Sequence, residues 1–232
     1  MRNELINAIF EIYQRYGKQN EFENFDREYL INAFHGIEQI WTENFNRLDQ
    51  INYIVLSEAP LWGINESYIY NLNSPFTPFF YENDLCYGLN IELINNRNEN
   101  IEEKKSRFLN TLINYGILIL DVLPYALNFE TALNYSRNTE NSIKLNTEDY
   151  MSLLNVSLEY FIHEKLNEIN ERINPERTLN IIYRYRRLSN LHHVIGPRLN
   201  NSFGENNFQV YSIGIQGGGI DRTLLRNILN NQ

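Results

Sequence analysis

The sequence predicts an α/β protein in which a short, mostly parallel four-stranded sheet lies between helices in a three-layer α/β/α sandwich. Four short runs of β-branched and other apolar residues indicate buried strands, since a strand that is covered on both faces lacks polar alternation. Apolar residues spaced by threes and fours between these runs indicate helices. Because strands and helices alternate along the chain, a parallel sheet is expected. All 232 residues are interpreted as one domain.

The composition is that of a protein that folds around an apolar core. Apolar residues make up 43% of the chain and aromatic residues 13%, so no disulfide or metal is needed for stability. The single cysteine, Cys86, excludes an internal disulfide and a multi-cysteine zinc site, and it fits a reducing, cytoplasmic location. We expect Cys86 to be a small buried apolar residue. No signal peptide or membrane span is predicted, and no cofactor or metal is expected.

Residues 1–48 are predicted to form two amphipathic helices that pack on the sheet. The first helix has an apolar stripe that includes Leu5 and Ile9, and the second has one from Leu30 to Phe45. Asp26 precedes the second stripe and is expected to be its N-cap. The net charge of −9 argues against a broad nucleic-acid surface, because nonspecific affinity comes mainly from Lys and Arg that neutralise phosphates.

The four predicted strands follow in order, with helices between them. A helix from Asn100 to Asn114 is expected to stop at Gly116, a long helix is indicated by apolar residues from Met151 to Ile173, and Asp221 is expected to cap a terminal helix. The strands are predicted at Ile51–Leu56, Ile117–Pro124, Leu179–Tyr183 and Phe208–Ile213.

Ligands bind open α/β sheets outside the carboxyl ends of the strands, which directs attention to the loops that follow them. Glu58 and Asp121 each stand at the tip of an apolar strand, and paired carboxylates of this kind supply general-base and orienting groups. Alternatively, either residue caps a helix or accepts backbone N–H groups in its own turn. Gly217, Gly218 and Gly219 would let backbone N–H groups approach a phosphate, although a tight turn also explains them.

The concentrated basic stretch of the chain contains Arg184, Arg186 and Arg187. Tyr183 and Tyr185 alternate with these arginines and are suited to stacking on bases. We therefore predict nucleic-acid contacts here, with a solvated helix face as the alternative.

Together the strand-end loops resemble those of the uracil-DNA glycosylase superfamily. Ser57-Glu58-Ala59-Pro60 is similar to the loop that positions the attacking water in that family, with Glu58 at the catalytic position. Asp121 stands where the family has an asparagine that reads the pyrimidine edge. Because an ionised aspartate cannot donate a hydrogen bond, the base preference would move away from uracil. Residues Ile215–Gly219 fall at the family's last motif, without its histidine and prolines.

The resemblance implies a protein that binds a flipped or modified nucleobase and hydrolyses its N-glycosidic bond in DNA. A non-catalytic module that binds a nucleotide, a nucleic acid or a protein through the same pocket is the alternative, favoured by the acidic charge and the missing histidine. Turnover of a small phosphorylated or glycosidic metabolite is a third. The residues implied to bind the substrate are Ser57, Ala59, Pro60, Phe79, Phe80, Tyr81, Gln216, Gly217, Gly218 and Gly219.

Overall fold

The computed structural model describes residues 1–59, 69–73, 86–89, 101–216 and 219–230. The α-helices in these ranges are α1 (Asn3–Arg15), α2 (Gln19–Glu21), α3 (Arg27–Asn46), α4 (Ile101–Tyr115), α5 (Thr147–Ser157), α6 (His163–Asn170), α7 (Arg186–Asn190), α8 (His192–Phe203) and α9 (Arg222–Asn230). The strands are β1 (Tyr53–Ser57), β2 (Ile117–Asp121), β3 (Leu133–Asn134), β4 (Ile143–Lys144), β5 (Leu179–Tyr183) and β6 (Phe208–Ser212). Two π-helical turns occupy Phe22–Asp26 and Leu158–Ile162.

The main sheet has four parallel strands in the order β2-β1-β5-β6, and helices flank it. Leu56 of β1 lies opposite Tyr183 of β5, which in turn lies opposite Ser212 of β6. The predicted α/β class with a parallel four-stranded sheet is therefore confirmed. Every residue of β1, β2 and β5 is buried, as expected from apolar runs without alternation.

The strand ends differ slightly from the prediction. Ile51 does not belong to β1 but forms an isolated bridge with Ile173, and β2 ends at Asp121, before the predicted Pro124. Only β5 has the predicted bounds at both ends. A second, two-stranded sheet of β3 and β4 was not predicted, because two residues per strand are too few to produce a periodic pattern.

Helix α4 ends where the sequence predicted. Gly116 follows the helix with a φ of 69°, a left-handed conformation that favours glycine. The Gly116 carbonyl oxygen then accepts hydrogen bonds from the N–H groups of Asn52 (2.9 Å) and Tyr53 (3.1 Å). This turn therefore holds the start of β1 next to the start of β2.

The predicted N-cap at Asp26 is wrong. The helical backbone continues from the first π-helical turn directly into α3, so Asp26 does not stand at a helix start. Its Oδ2 atom instead accepts hydrogen bonds from the Tyr13 hydroxyl and from the N–H of Ala132, both at 2.8 Å. The carboxylate thus joins α1 to the segment that leads into β3.

The chain divides into two compact units, with Glu58 in one and Asp121 in the other. The first comprises residues 1–40, 59–68 and 121–165, and the second comprises residues 41–58, 69–120 and 166–232. The single-domain interpretation stays a prediction. Cys86, in the second unit, is 1% exposed, as expected of a small buried apolar residue.

Candidate functional site

Glu58 follows the last residue of β1 at the carboxyl end of the sheet. Ser57 is buried, whereas the side chain of Glu58 is 21% exposed. The apolar side chains of β1 place Ser57 in the interior, and the chain leaves the sheet immediately after it. Glu58 therefore combines a fixed backbone position with a carboxylate that solvent reaches.

Arg184 follows β5 and is fixed beside β1. Its N–H donates a hydrogen bond of 3.0 Å to the carbonyl oxygen of Leu56, and its guanidinium lies 4.1 Å from the centre of the Tyr185 ring. The residue is only 3% exposed. Burial lowers the pKa of the Arg184 guanidinium well below its ordinary value, and the negative charge of Glu58 counteracts that effect. A solvated helix face is therefore the wrong interpretation for Arg184.

Arg187 completes an ion pair with Glu58. Its Nη1 atom lies 3.2 Å from Oε1 of Glu58, and its side chain is 38% exposed. Arg187 belongs to α7, which begins at Arg186, two residues after Arg184. Arg186, by contrast, is exposed to solvent. Two of the three predicted arginines thus lie close to Glu58, and their charges exceed that of the carboxylate.

The loop after β6 approaches the loop after β5 through Gly214. A Cβ atom at this position would lie 2.3 Å from the backbone nitrogen of Arg186 and 2.7 Å from the carbonyl carbon of Tyr185, closer than real contacts allow. Only glycine permits this backbone approach. Gly214 was not predicted, because the three consecutive glycines are the stronger signal in the sequence. The available signal was a single glycine between the apolar residues Ile213 and Ile215.

The loop that contains the three glycines is closed by backbone hydrogen bonds. The N–H of Ile215 donates to the carbonyl oxygen of Gly219 (3.0 Å), and the N–H of Asp221 donates to that of Ile213 (2.7 Å). Gln216 is exposed. We call the set formed by Ser57, Glu58, Arg184, Arg187 and Gly214 the carboxyl edge.

A histidine that was not predicted to be functional lies beyond β5. The buried Tyr183 hydroxyl is 2.9 Å from Nδ1 of His192. Burial raises the pKa of Tyr183 well above its ordinary range, so the phenol keeps its proton. His192 is exposed, and this hydrogen bond ties its ring to the end of β5.

Of the remaining predicted residues, the structure describes Asp121 and Ala59 individually. Asp121 is the last residue of β2 and is 6% exposed, and Ala59 is partly exposed. Because Glu58 and Asp121 belong to different compact units, their convergence on one pocket stays a prediction. Pro60, Phe79, Phe80, Tyr81, Gly217 and Gly218 lie outside the described residues.

Among the described residues, no group of three or more His, Cys, Asp or Glu side chains is arranged to hold a metal ion. None of the described helices is both long and apolar enough to cross a membrane. Comparison of the chain with protein families, curated proteins and solved structures gave no match. The fold and site define an α/β protein whose parallel sheet carries arginines and a carboxylate at its carboxyl edge.

Proposed function

We propose that this chain binds a nucleotide, or a short nucleic-acid strand, through a phosphate group at the carboxyl edge. The observation that carries the proposal is the placement of Arg184 and Arg187 around Glu58 at the ends of β1 and β5. Ligands of open parallel sheets bind at this end of the strands. Two guanidinium groups beside one carboxylate leave a local positive charge in a chain whose net charge is −9.

The two arginines are suited to a phosphate in complementary ways. Arg184 is buried and its backbone is hydrogen-bonded to Leu56, so its positive charge is fixed in place and acts on a bound phosphate at a distance. Arg187 is more exposed, so its guanidinium can turn toward an incoming phosphate. The ion pair with Glu58 limits the conformations that the Arg187 side chain adopts. A guanidinium binds two phosphate oxygens at once in a planar, charge-assisted geometry. An anion next to Arg184 also offsets part of the cost of burying its charge.

The choice of a nucleobase ligand depends on the resemblance of the Ser57–Pro60 loop to the uracil-DNA glycosylase superfamily. The acidic net charge favours a small ligand or a short strand over a long duplex, because a long duplex would bring many phosphates near acidic surface. A binding role also agrees with the ion pair, in which Glu58 orients a cation that meets the ligand.

Fluorescence polarisation with a short labelled single-stranded oligodeoxynucleotide tests this proposal, with unlabelled nucleoside monophosphates as competitors. We expect Arg187→Gln to weaken binding by roughly 10-fold or more, since a hydrogen bond to a charged group contributes about 1.5–3 kcal/mol. Arg137→Gln removes the same charge from an exposed position after β3 and is the matched control. Absence of binding by the wild type, or equal loss in both variants, contradicts the proposal.

Hydrolysis of an N-glycosidic bond is the second candidate, and the position of Glu58 favours it. A carboxylate has about four lone-pair sites, so contact with Arg187 does not prevent it from orienting a water. That water would attack C1′ of the sugar after the base has left its stack. We would assay abasic sites in duplexes that carry deaminated or oxidised bases. Activity that Glu58→Gln abolishes supports hydrolysis, and identical results for wild type, variant and buffer exclude it for those lesions.

A further inference from the structure

The outer edge of β6 carries backbone groups that the sheet does not use. The N–H of Ile213 donates to the carbonyl oxygen of Tyr183 at 3.0 Å, which fixes the orientation of this strand. Since backbone groups alternate in direction along a strand, Gln209 and Tyr211 also face β5. The N–H and C=O groups of Phe208, Val210 and Ser212 therefore point away from it. Within the described part of the chain, none of these groups has a hydrogen-bond partner.

β6 differs from the opposite edge of the sheet in its exposure. All five residues of β2 are buried, whereas every residue of β6 is at least partly exposed and Val210 is 38% exposed. Edge strands are usually protected by charged side chains, proline or a bulge. The β6 sequence, Phe208-Gln209-Val210-Tyr211-Ser212, contains no charged residue and no proline. This edge is thus suited to pairing with another strand.

We propose that β6 pairs with β6 of a second copy of this chain, antiparallel about a two-fold axis at Val210. In this register Val210 lies opposite its own counterpart, and Phe208 lies opposite Ser212 of the other copy. All three outward residues then form hydrogen-bonded pairs in each copy, which is the pattern that an antiparallel ladder requires. The two exposed Val210 side chains meet on one face. The result is a continuous eight-stranded sheet with closed two-fold symmetry.

Charge at the two ends of β6 favours a second copy as the occupant. Glu205 is exposed just before the strand. Just after it, Arg186, whose backbone lies beside Gly214, is exposed, as are Asp221 and Arg222, and together these three side chains carry a net positive charge. Antiparallel pairing about Val210 brings the Asn206 end of one copy to the Gly214 end of the other. The acidic end of each β6 therefore faces the basic end of its counterpart, twice in the dimer. Parallel pairing would instead place like charges at the same end.

Sedimentation velocity over a range of protein concentrations tests the dimer. We expect the wild type to form a dimer and Val210→Pro to be a monomer, because proline removes an outward N–H that β5 does not use and is tolerated on edge strands. Circular dichroism and urea unfolding establish that the variant is folded. Gln209→Lys, which adds a charge but keeps every outward N–H, is the comparison and should weaken the dimer less. A wild type that is monomeric throughout, or a Val210→Pro variant that still dimerises, overturns the proposal.

Disulfide trapping tests the register without a variant that disturbs the backbone. In a hydrogen-bonded antiparallel pair the two Cα atoms are about 5.5 Å apart, within the range of about 4.4–6.8 Å that a disulfide bridges. We therefore expect Val210→Cys to form a covalent dimer under mild oxidation. Residue 209 lies diagonal to its counterpart at about 7–8 Å, so Gln209→Cys should not. The native Cys86 is buried and does not compete. Equal cross-linking of the two variants contradicts the register.

Discussion

Asp26 accepts two hydrogen bonds through one carboxylate oxygen, from the Tyr13 hydroxyl and from the N–H of Ala132. Burial raises the pKa of Asp26 above its ordinary value of 3.8, although these hydrogen bonds counteract the rise. Ala132 is 106 residues away in the sequence. A local pattern of an acidic residue before an apolar stripe therefore indicated a helix cap, and only the tertiary structure supplies the actual partners.

The raised pKa of Asp26 gives stability a definite dependence on pH. Between its ordinary and raised values, the folded protein binds more protons than the unfolded chain, so the unfolding free energy falls as pH increases through this window. Asp26→Asn removes the titration. We compare the unfolding free energies of the two proteins as the difference, variant minus wild type. We expect this difference to increase when the pH is raised from below 3.8 to neutral. Urea unfolding of both proteins across this range measures it, and a constant difference would show that Asp26 does not titrate this way.

The helices and strands were largely predictable because each buries a continuous or periodic set of apolar side chains. Helix α5 began before the first predicted residue, Met151, because its first turn is polar and has no stripe to detect. Asn146 caps that turn by accepting a hydrogen bond of 2.8 Å from the N–H of Asp149. The stop of α4 at Gly116 was predicted because its left-handed turn is a local property of the chain.

Two glycines at helix ends offer a matched test of what fixes these boundaries. Gly116 and Gly17 have φ values of 69° and 65°, but a Cβ atom at Gly116 would lie 2.6 Å from Nδ2 of Asn52, whereas at Gly17 nothing lies within 4 Å. We expect Gly17→Ala to cost about 1–2 kcal/mol from the left-handed conformation alone, and Gly116→Ala to cost clearly more. Urea unfolding measures both. Equal losses would mean that the contact with Asn52 adjusts without cost.

At the scale of the whole molecule, the fold was more predictable than the site. The sequence indicated Glu58 and the arginines separately, but it did not indicate the ion pair between Glu58 and Arg187, since 129 residues separate them. Nor did it indicate the close backbone approach at Gly214, which depends on how the loops after β5 and β6 meet. Side chains that converge from distant strands have no signature in a local pattern.

The acidic charge of the molecule and the small basic site together predict a weak dependence of binding on salt. Each phosphate neutralised on a single strand contributes about −0.7 to the slope of log K against log salt concentration. With one phosphate bound at the carboxyl edge, we expect a slope of about −0.7, and a slope closer to zero for Arg187→Gln. Fluorescence polarisation at increasing salt measures both. A slope several-fold steeper would mean that nucleic acid contacts a broad basic surface elsewhere.

Phosphate recognition at the carboxyl edge is tested most directly by NMR spectra of the ¹⁵N-labelled protein, titrated with a nucleoside monophosphate and, separately, with its parent nucleoside. We predict that the monophosphate shifts the backbone amide signals of Ser57, Glu58, Arg184, Arg187 and Gly214, and that the nucleoside at the same concentration shifts them much less. Equal shifts with both ligands, or shifts confined to residues away from the carboxyl edge, would contradict the account.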